Sequence, residues 1–223
     1  MSDPATSNPL RIVVLISGSG TNLQALIDQI HQGDTPARIV AVISNRADAY
    51  GLQRAEQAGI AARILSHRDY NSREAYDIAL QALIDEYRPG LIILAGFMRI
   101  LSDDFVRHYQ GRMINIHPSL LPRYKGLNTH QRALEAGDTE HGCSVHYVTP
   151  ELDGGPIILQ ASVPIEASDT PESLAQKVHE QEHRIYPQVV DWIARDRVRL
   201  EDDSVLFDGS PISEQQRRYR AEN

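Results

Sequence analysis

Short aliphatic and β-branched runs recur along the chain, with a helix-spaced stretch after most of them, and neither an all-β nor an all-helical arrangement accommodates that alternation. "RIVVLIS" (11–17) and "RIVAVIS" (38–44) read as buried strands, "ARIL" (62–65) as a shorter third strand, and "LIILAG" (91–96) and "RMINI" (112–116) as the most apolar ones. After the first, Leu23, Leu26, Ile27 and Ile30 recur at helical spacing, and a second helix is predicted over roughly 48–58. Asn71 opens a third, with Glu74 three residues on as a capping box and a stripe of Tyr76, Leu80, Leu83, Ile84 and Tyr87. The pattern predicts an α/β fold, a mostly parallel, doubly wound sheet with helices on both faces. The C-terminal half is richer in loops. There "SVHYVT" (144–149) and "IILQASVPI" (157–165) read as neighbouring strands joined around "PELDGGP". Thr170 and Pro171 cap a long helix to about Arg195, with Leu174, Val178, Ile185, Val189 and Ile193 on one face. From Asp196 onward the chain reads as short and polar. The expected organisation is a tail at 1–10, a single domain at 11–210 and a polar tail at 211–223. Within the domain, 11–110 would form a nucleotide/phosphate-binding half and 111–195 a catalytic half.

Composition narrows the function classes. The formal charge of −8 argues against a broad nucleic-acid-binding face, although a local phosphate site at a helix start needs no net positive charge. A single cysteine, Cys143, excludes an internal disulfide framework and fits a reducing compartment. No run reaches membrane-spanning length, and the polar start "MSDPATSNP" lacks the basic and apolar parts of a signal peptide. The expectation is a cytoplasmic protein with small-molecule substrates, without nucleic-acid or membrane partners, monomeric or homodimeric.

Four stretches carry candidate chemistry. "SGSGTNL" (17–23) joins a strand to a helix, where Gly20, Thr21 and Asn22 could cradle a phosphate; equally, the glycines could serve the turn alone. Leu23 breaks the dinucleotide spacing and no Lys follows for a P-loop; Ser44 and Asn45 stand where a dehydrogenase would carry an acid. In "NIHPSLLP" (115–122), Asn115 and His117 sit at a strand end, where an amide and an imidazole can stabilise an oxyanion and move a proton, or merely satisfy loop carbonyls. Pro118 and Pro122 stiffen the turn that follows. In "ELDGG" (151–155), Asp153 either completes a β-turn or presents a carboxylate that orients His117 and favours its charged form. Glu182, inside an apolar helical stripe, needs a partner, which an internal Arg or a substrate amine could supply. Cys143 reads as core rather than nucleophile, and the histidines, His141 and His146 included, form no metal-ligand pattern.

Taken in order, "SGSGTNLQALID", "ISNRADAYGLQRAEQAGI", "LAGFMRILS", "NIHPSLLP", "GCSVHYVTPELDGGPIILQ" and "QEHRIYP" resemble the phosphoribosylglycinamide formyltransferase family over roughly 11–195. The resemblance implies transfer of a formyl group from 10-formyltetrahydrofolate, a co-substrate, to the amine of the ribonucleotide glycinamide, with no metal. It further implies a catalytic trio of Asn115, His117 and Asp153, and acceptor-substrate contacts from Gly20, Thr21, Asn22 and Glu182. Folate contacts would come from Arg73, Met98, Arg99, Ile100, Leu101 and Asn115. Asn128 departs from the family pattern, where His is common. Methionyl-tRNA formyltransferase and formyltetrahydrofolate hydrolase share part of the pattern, but each carries a further domain that this sequence is not expected to have. A non-catalytic folate-binding module would bind folate without turnover.

Overall fold

The computed structural model describes residues 8–219. Residues 1–7 of the expected N-terminal tail and 220–223 of the C-terminal one lie outside them. Five strands, β1 (Leu10–Ile16), β2 (Ala37–Ser44), β3 (Ala61–Ile64), β4 (Leu91–Leu94) and β5 (Met113–His117), pair in parallel in the order β3-β2-β1-β4-β5. Next come β6 (Glu140–Tyr147), antiparallel to β5, and β7 (Ile157–Pro164), antiparallel to β6, completing a seven-stranded sheet. β1, β2 and β4 read as near-continuous apolar runs because helices cover both faces, whereas β3 at the sheet edge is largely exposed. One core cluster gathers Ile12, Val14, Ile16, Leu23 and the stripe of α6 (Pro171–Ala194); the other gathers Val13, Leu15, Tyr76, Leu80 and Tyr109 on the opposite face. Strand order reverses at β1, whose neighbours are β2 and β4, so the loops after β1 and β4 open side by side at the switch point where such sheets bind ligands.

Several boundaries differ from the sequence expectation for identifiable reasons. The helix after β1 is α1 (Thr21–Leu26), continued by a π-helical turn over Ile27–His31. The predicted 48–58 helix is α2, Gly51–Gln57. The cap of α3 (Arg73–Asp85) is Ser72, not Asn71, because the Ser72 hydroxyl accepts the Ala75 N–H at 3.1 Å while Glu74 turns to Arg73. Thr170 caps α6 as expected, with Ser173 reciprocating. The stretch after Asp196 is not simply polar. It forms a small antiparallel sheet of β8 (Val198–Glu201), β9 (Ser204–Phe207) and β10 (Ser210–Pro211), with Val198, Val205 and Ile212 buried against the main core. Single apolar residues between polar ones are enough to seat short strands on a core that already exists, a signal too sparse to read in isolation.

Candidate active site

Asn115 and His117 lie two apart on β5, so their side chains emerge on the same face of the sheet at its carboxyl end. His117 is buried, and its Nδ1 lies 3.4 Å from Asp153 Oδ2. Asp153 arrives from the loop between β6 and β7, with a left-handed φ of 47° that Asp tolerates better than most residues. Its loop folds tightly against the end of β6, where a side chain at Gly155 would collide with the Tyr147 carbonyl. The Asp153 carboxylate also accepts the Gly126 N–H at 2.9 Å, and the carbonyl of Tyr124 faces His117 Nε2 at 2.9 Å. Both ring nitrogens therefore face oxygen acceptors.

His146 joins this group, a residue that strand periodicity alone offers no reason to place there. It stands directly opposite Asn115 in the β5–β6 ladder, with Nε2 3.3 Å from Asn115 Nδ2 and 3.8 Å from Asp153 Oδ1. Its Nδ1 lies 2.9 Å from the Tyr147 carbonyl, which can only accept, so Nδ1 carries the proton and Nε2 accepts from Asn115. Burial holds the His146 pKa below the ordinary value, in keeping with a neutral ring. The amide of Asn115 is thereby fixed with its nitrogen toward His146.

Glu182 on α6 is fully buried, and its partner is neither Arg nor Lys: Asn22 Nδ2 donates to Oε2 at 2.8 Å, and His179 Nε2 stands 3.9 Å away. Burial raises its pKa against the opposing Asn22 hydrogen bond. This contact ties α6 to the loop that opens α1. There Gly20 has a φ of 71°, and a Cβ on it would lie 2.7 Å from the Gly51 Cα at the start of α2. Turn geometry and helix packing thus both require this glycine.

The residues expected to meet folate lie less closely together. Met98 and Ile100 project into solvent from the loop after β4, exposed at 70% and 62%. Arg99 turns inward, its guanidinium 4.7 Å from the centre of the Tyr76 ring, and Leu101 packs against the core. Arg73 begins α3 and pairs with its neighbour Glu74 at 3.3 Å rather than with any of the trio. Asn128 has a left-handed φ of 57° at the start of α5 (Thr129–Glu135), a backbone requirement that Asn meets well. Cys143 is buried in the core, and burial raises its thiol pKa well above the ordinary value. Among the described residues, no cluster of His, Cys, Asp or Glu is arranged to hold a metal ion, and no helix is long and apolar enough to cross a membrane.

An open sheet with an amide, an imidazole and a carboxylate gathered beyond the carboxyl end of β5 has the groups that a group-transfer enzyme can use. The chain belongs to the formyl transferase family, which it matches over residues 10–190. It is 54% identical over 206 residues to the phosphoribosylglycinamide formyltransferase of Escherichia coli K12, covering 92% of this chain and 97% of that protein. A solved structure of the phosphoribosylglycinamide formyltransferase from Coxiella burnetii superposes with a TM-score of 0.90 at 56% identity, covering 95% of this chain and all of that one. The human trifunctional purine biosynthetic protein adenosine-3 is 46% identical over 196 residues, 88% of this chain but 19% of that protein.

Proposed function

We propose that the protein transfers the formyl group of 10-formyltetrahydrofolate to the amine of 5-phosphoribosylglycinamide, giving N-formylglycinamide ribonucleotide and tetrahydrofolate. The observation that carries this reading is the convergence of Asn115, His117 and Asp153 within hydrogen-bonding and ion-pair reach of one another or of the bridging His146.

The amine nitrogen attacks the formyl carbon, the new C–N bond forms, and the carbonyl electron pair moves onto oxygen. The remaining Asn115 N–H and a His117 N–H supply donors for that oxygen, and one such donor contributes about 3 kcal/mol to lowering the barrier. In the unliganded site His117 Nε2 faces the Tyr124 carbonyl, so the substrate oxygen would take the place of that carbonyl. The proton lost by the attacking amine passes to the departing folate nitrogen, with His117 and Asp153 as the relay, and the C–N bond to folate breaks. No side chain forms a covalent acyl intermediate in this scheme.

Glu182, whose pKa burial raises, gains a partner when an ammonium or amine enters. Gly20, Thr21 and Asn22 receive the phosphate, and the Met98–Leu101 loop with Arg73 receives the folate. The test is an assay with 10-formyltetrahydrofolate and 5-phosphoribosylglycinamide, with a tRNA acceptor in parallel. Formylation of the ribonucleotide alone is expected; transfer to tRNA, or folate binding without transfer, would overturn the reading.

A further inference from the structure

The loop from Ala95 to Ser102 leaves the sheet after β4 and presents Met98 and Ile100 outward, yet two buried side chains hold it from beneath. At its start, the Ser17 hydroxyl accepts the Met98 N–H at 2.8 Å while donating to Asn45 Oδ1 at 2.6 Å. Ser17 and Asn45 are both buried, and the Asn45 amide nitrogen lies 3.4 Å from His67 Nδ1, which fixes the direction of the amide. The Ser17 backbone N–H donates to the Gly96 carbonyl at 3.1 Å, so this one residue meets the loop twice. At its end, the Asp77 carboxylate accepts the Ser102 N–H at 2.6 Å. Asp77 lies on α3, is 2% exposed, and its other oxygen is buried without a protein hydrogen-bond partner. Between the two points Arg99 rests on the ring of Tyr76, the residue beside Asp77.

A buried carboxylate with one free oxygen is costly, and an apolar residue of similar size would serve the core better. The placement makes sense if its return lies in the loop. Ser17 also opens the segment 17–23 proposed to hold the phosphate, so a residue of one substrate loop bonds the backbone of the other. We infer that Ser17 and Asp77 are positioning residues that clamp the two ends of the formyl-donor loop, Ser17 linking it to the acceptor-substrate loop as well. This rests on the assignment of Met98–Leu101 to the donor. Removing the Ser17 hydroxyl leaves the Met98 N–H and Asn45 Oδ1 unpaired, and removing the Asp77 carboxylate frees Ser102. Either change lets the loop drift without touching the trio.

The experiment combines steady-state kinetics with amide hydrogen exchange on Ser17→Ala, Asp77→Leu and Asp77→Asn, the last keeping a carbonyl acceptor for Ser102. Expected are a rise of about fivefold or more in the donor KM for Ser17→Ala and Asp77→Leu, and kcat at saturation within about twofold of wild type. Asp77→Asn should restore the donor KM to within about twofold, and only Ser17→Ala should also raise the acceptor KM. In the unliganded proteins the Met98 amide should exchange faster in Ser17→Ala, and the Ser102 amide faster in Asp77→Leu. Unchanged exchange at the Met98 amide in Ser17→Ala, and at the Ser102 amide in Asp77→Leu or, should that variant fail to fold, in Asp77→Ala, overturns the clamp itself. Faster exchange with an unchanged donor KM, in a wild type that turns over, overturns its link to the donor. A wild-type protein that does not bind the donor removes the underlying assignment instead.

Discussion

His117 Nδ1 stands 3.4 Å from Asp153 Oδ2, although the two residues come from a strand end and from a strained loop 36 positions later. The carboxylate reads the ring on one side, and the Tyr124 carbonyl faces it on the other. Replacing His117 by Ala removes the proposed oxyanion donor and should lower kcat about 10²- to 10³-fold with folate affinity nearly kept. Asp153→Asn should lower kcat about 10²-fold or more through the lost ion pair. Single-turnover rates and folate titration measure the two quantities separately; a matching loss of affinity would assign these residues to binding.

His146 acts through Asn115. His146→Ala frees the Asn115 amide to rotate, so kcat should fall roughly fivefold or more while the donor KM holds. A kcat equal to wild type would show that the amide keeps its direction without the ring.

Glu182→Gln preserves an acceptor for Asn22 but removes a carboxylate that burial disfavours as an anion. The variant should be more stable at neutral pH by about 1 kcal/mol in urea unfolding, while the KM for the amine substrate rises. Loss of stability would mean the charge has a partner the structure does not reveal.

Burial lowers the pKa of His130 to about 4, and those of His141 and His146 lie below the ordinary 6.5 as well. The unfolded chain therefore takes up protons near pH 6.5 that the folded protein refuses. Stability from these groups is fully present above pH 6.5 and is lost as pH falls toward 4. Glu182 works in the opposite sense, since its raised pKa costs stability as pH rises above 4.5. Asp138, with its pKa lowered chiefly by Tyr124 and Arg123 against the cost of burial, adds a further loss below about pH 4. Urea midpoints at pH 7, 6, 5 and 4.5 should decline steadily; a flat profile would show that the buried imidazoles are protonated without cost.

The strands and the long helices were legible because each shows its own period: aliphatic runs for β1, β2 and β4, and a 3.6-residue stripe for α6. The cap of α6 was legible too, since Thr170 and Pro171 are adjacent in the chain. The cap of α3 was placed one residue early because Asn71 and Ser72 are equally good on paper, and only the backbone geometry selects the hydroxyl. His146 was missed because its neighbour Asn115 is fixed by cross-strand register, which sequence periodicity does not encode. For Asp77, a carboxylate in the stripe of α3 resembles a solvated residue until the loop before α4 (Asp103–His108) closes over it.

By itself the sequence determined the alternation of elements, the turn residues that end each strand, and the chemical inventory of the site. Local preference and hydrophobic period act over a few residues, and that is the range a single chain displays. Tertiary structure alone decided that His146 orients Asn115, that Asn22 rather than Arg meets Glu182, and that Ser17 and Asp77 grip one loop from two elements. Those contacts join positions far apart in order, and their geometry is set by strand register and core packing, quantities that come into being only when the sheet is assembled.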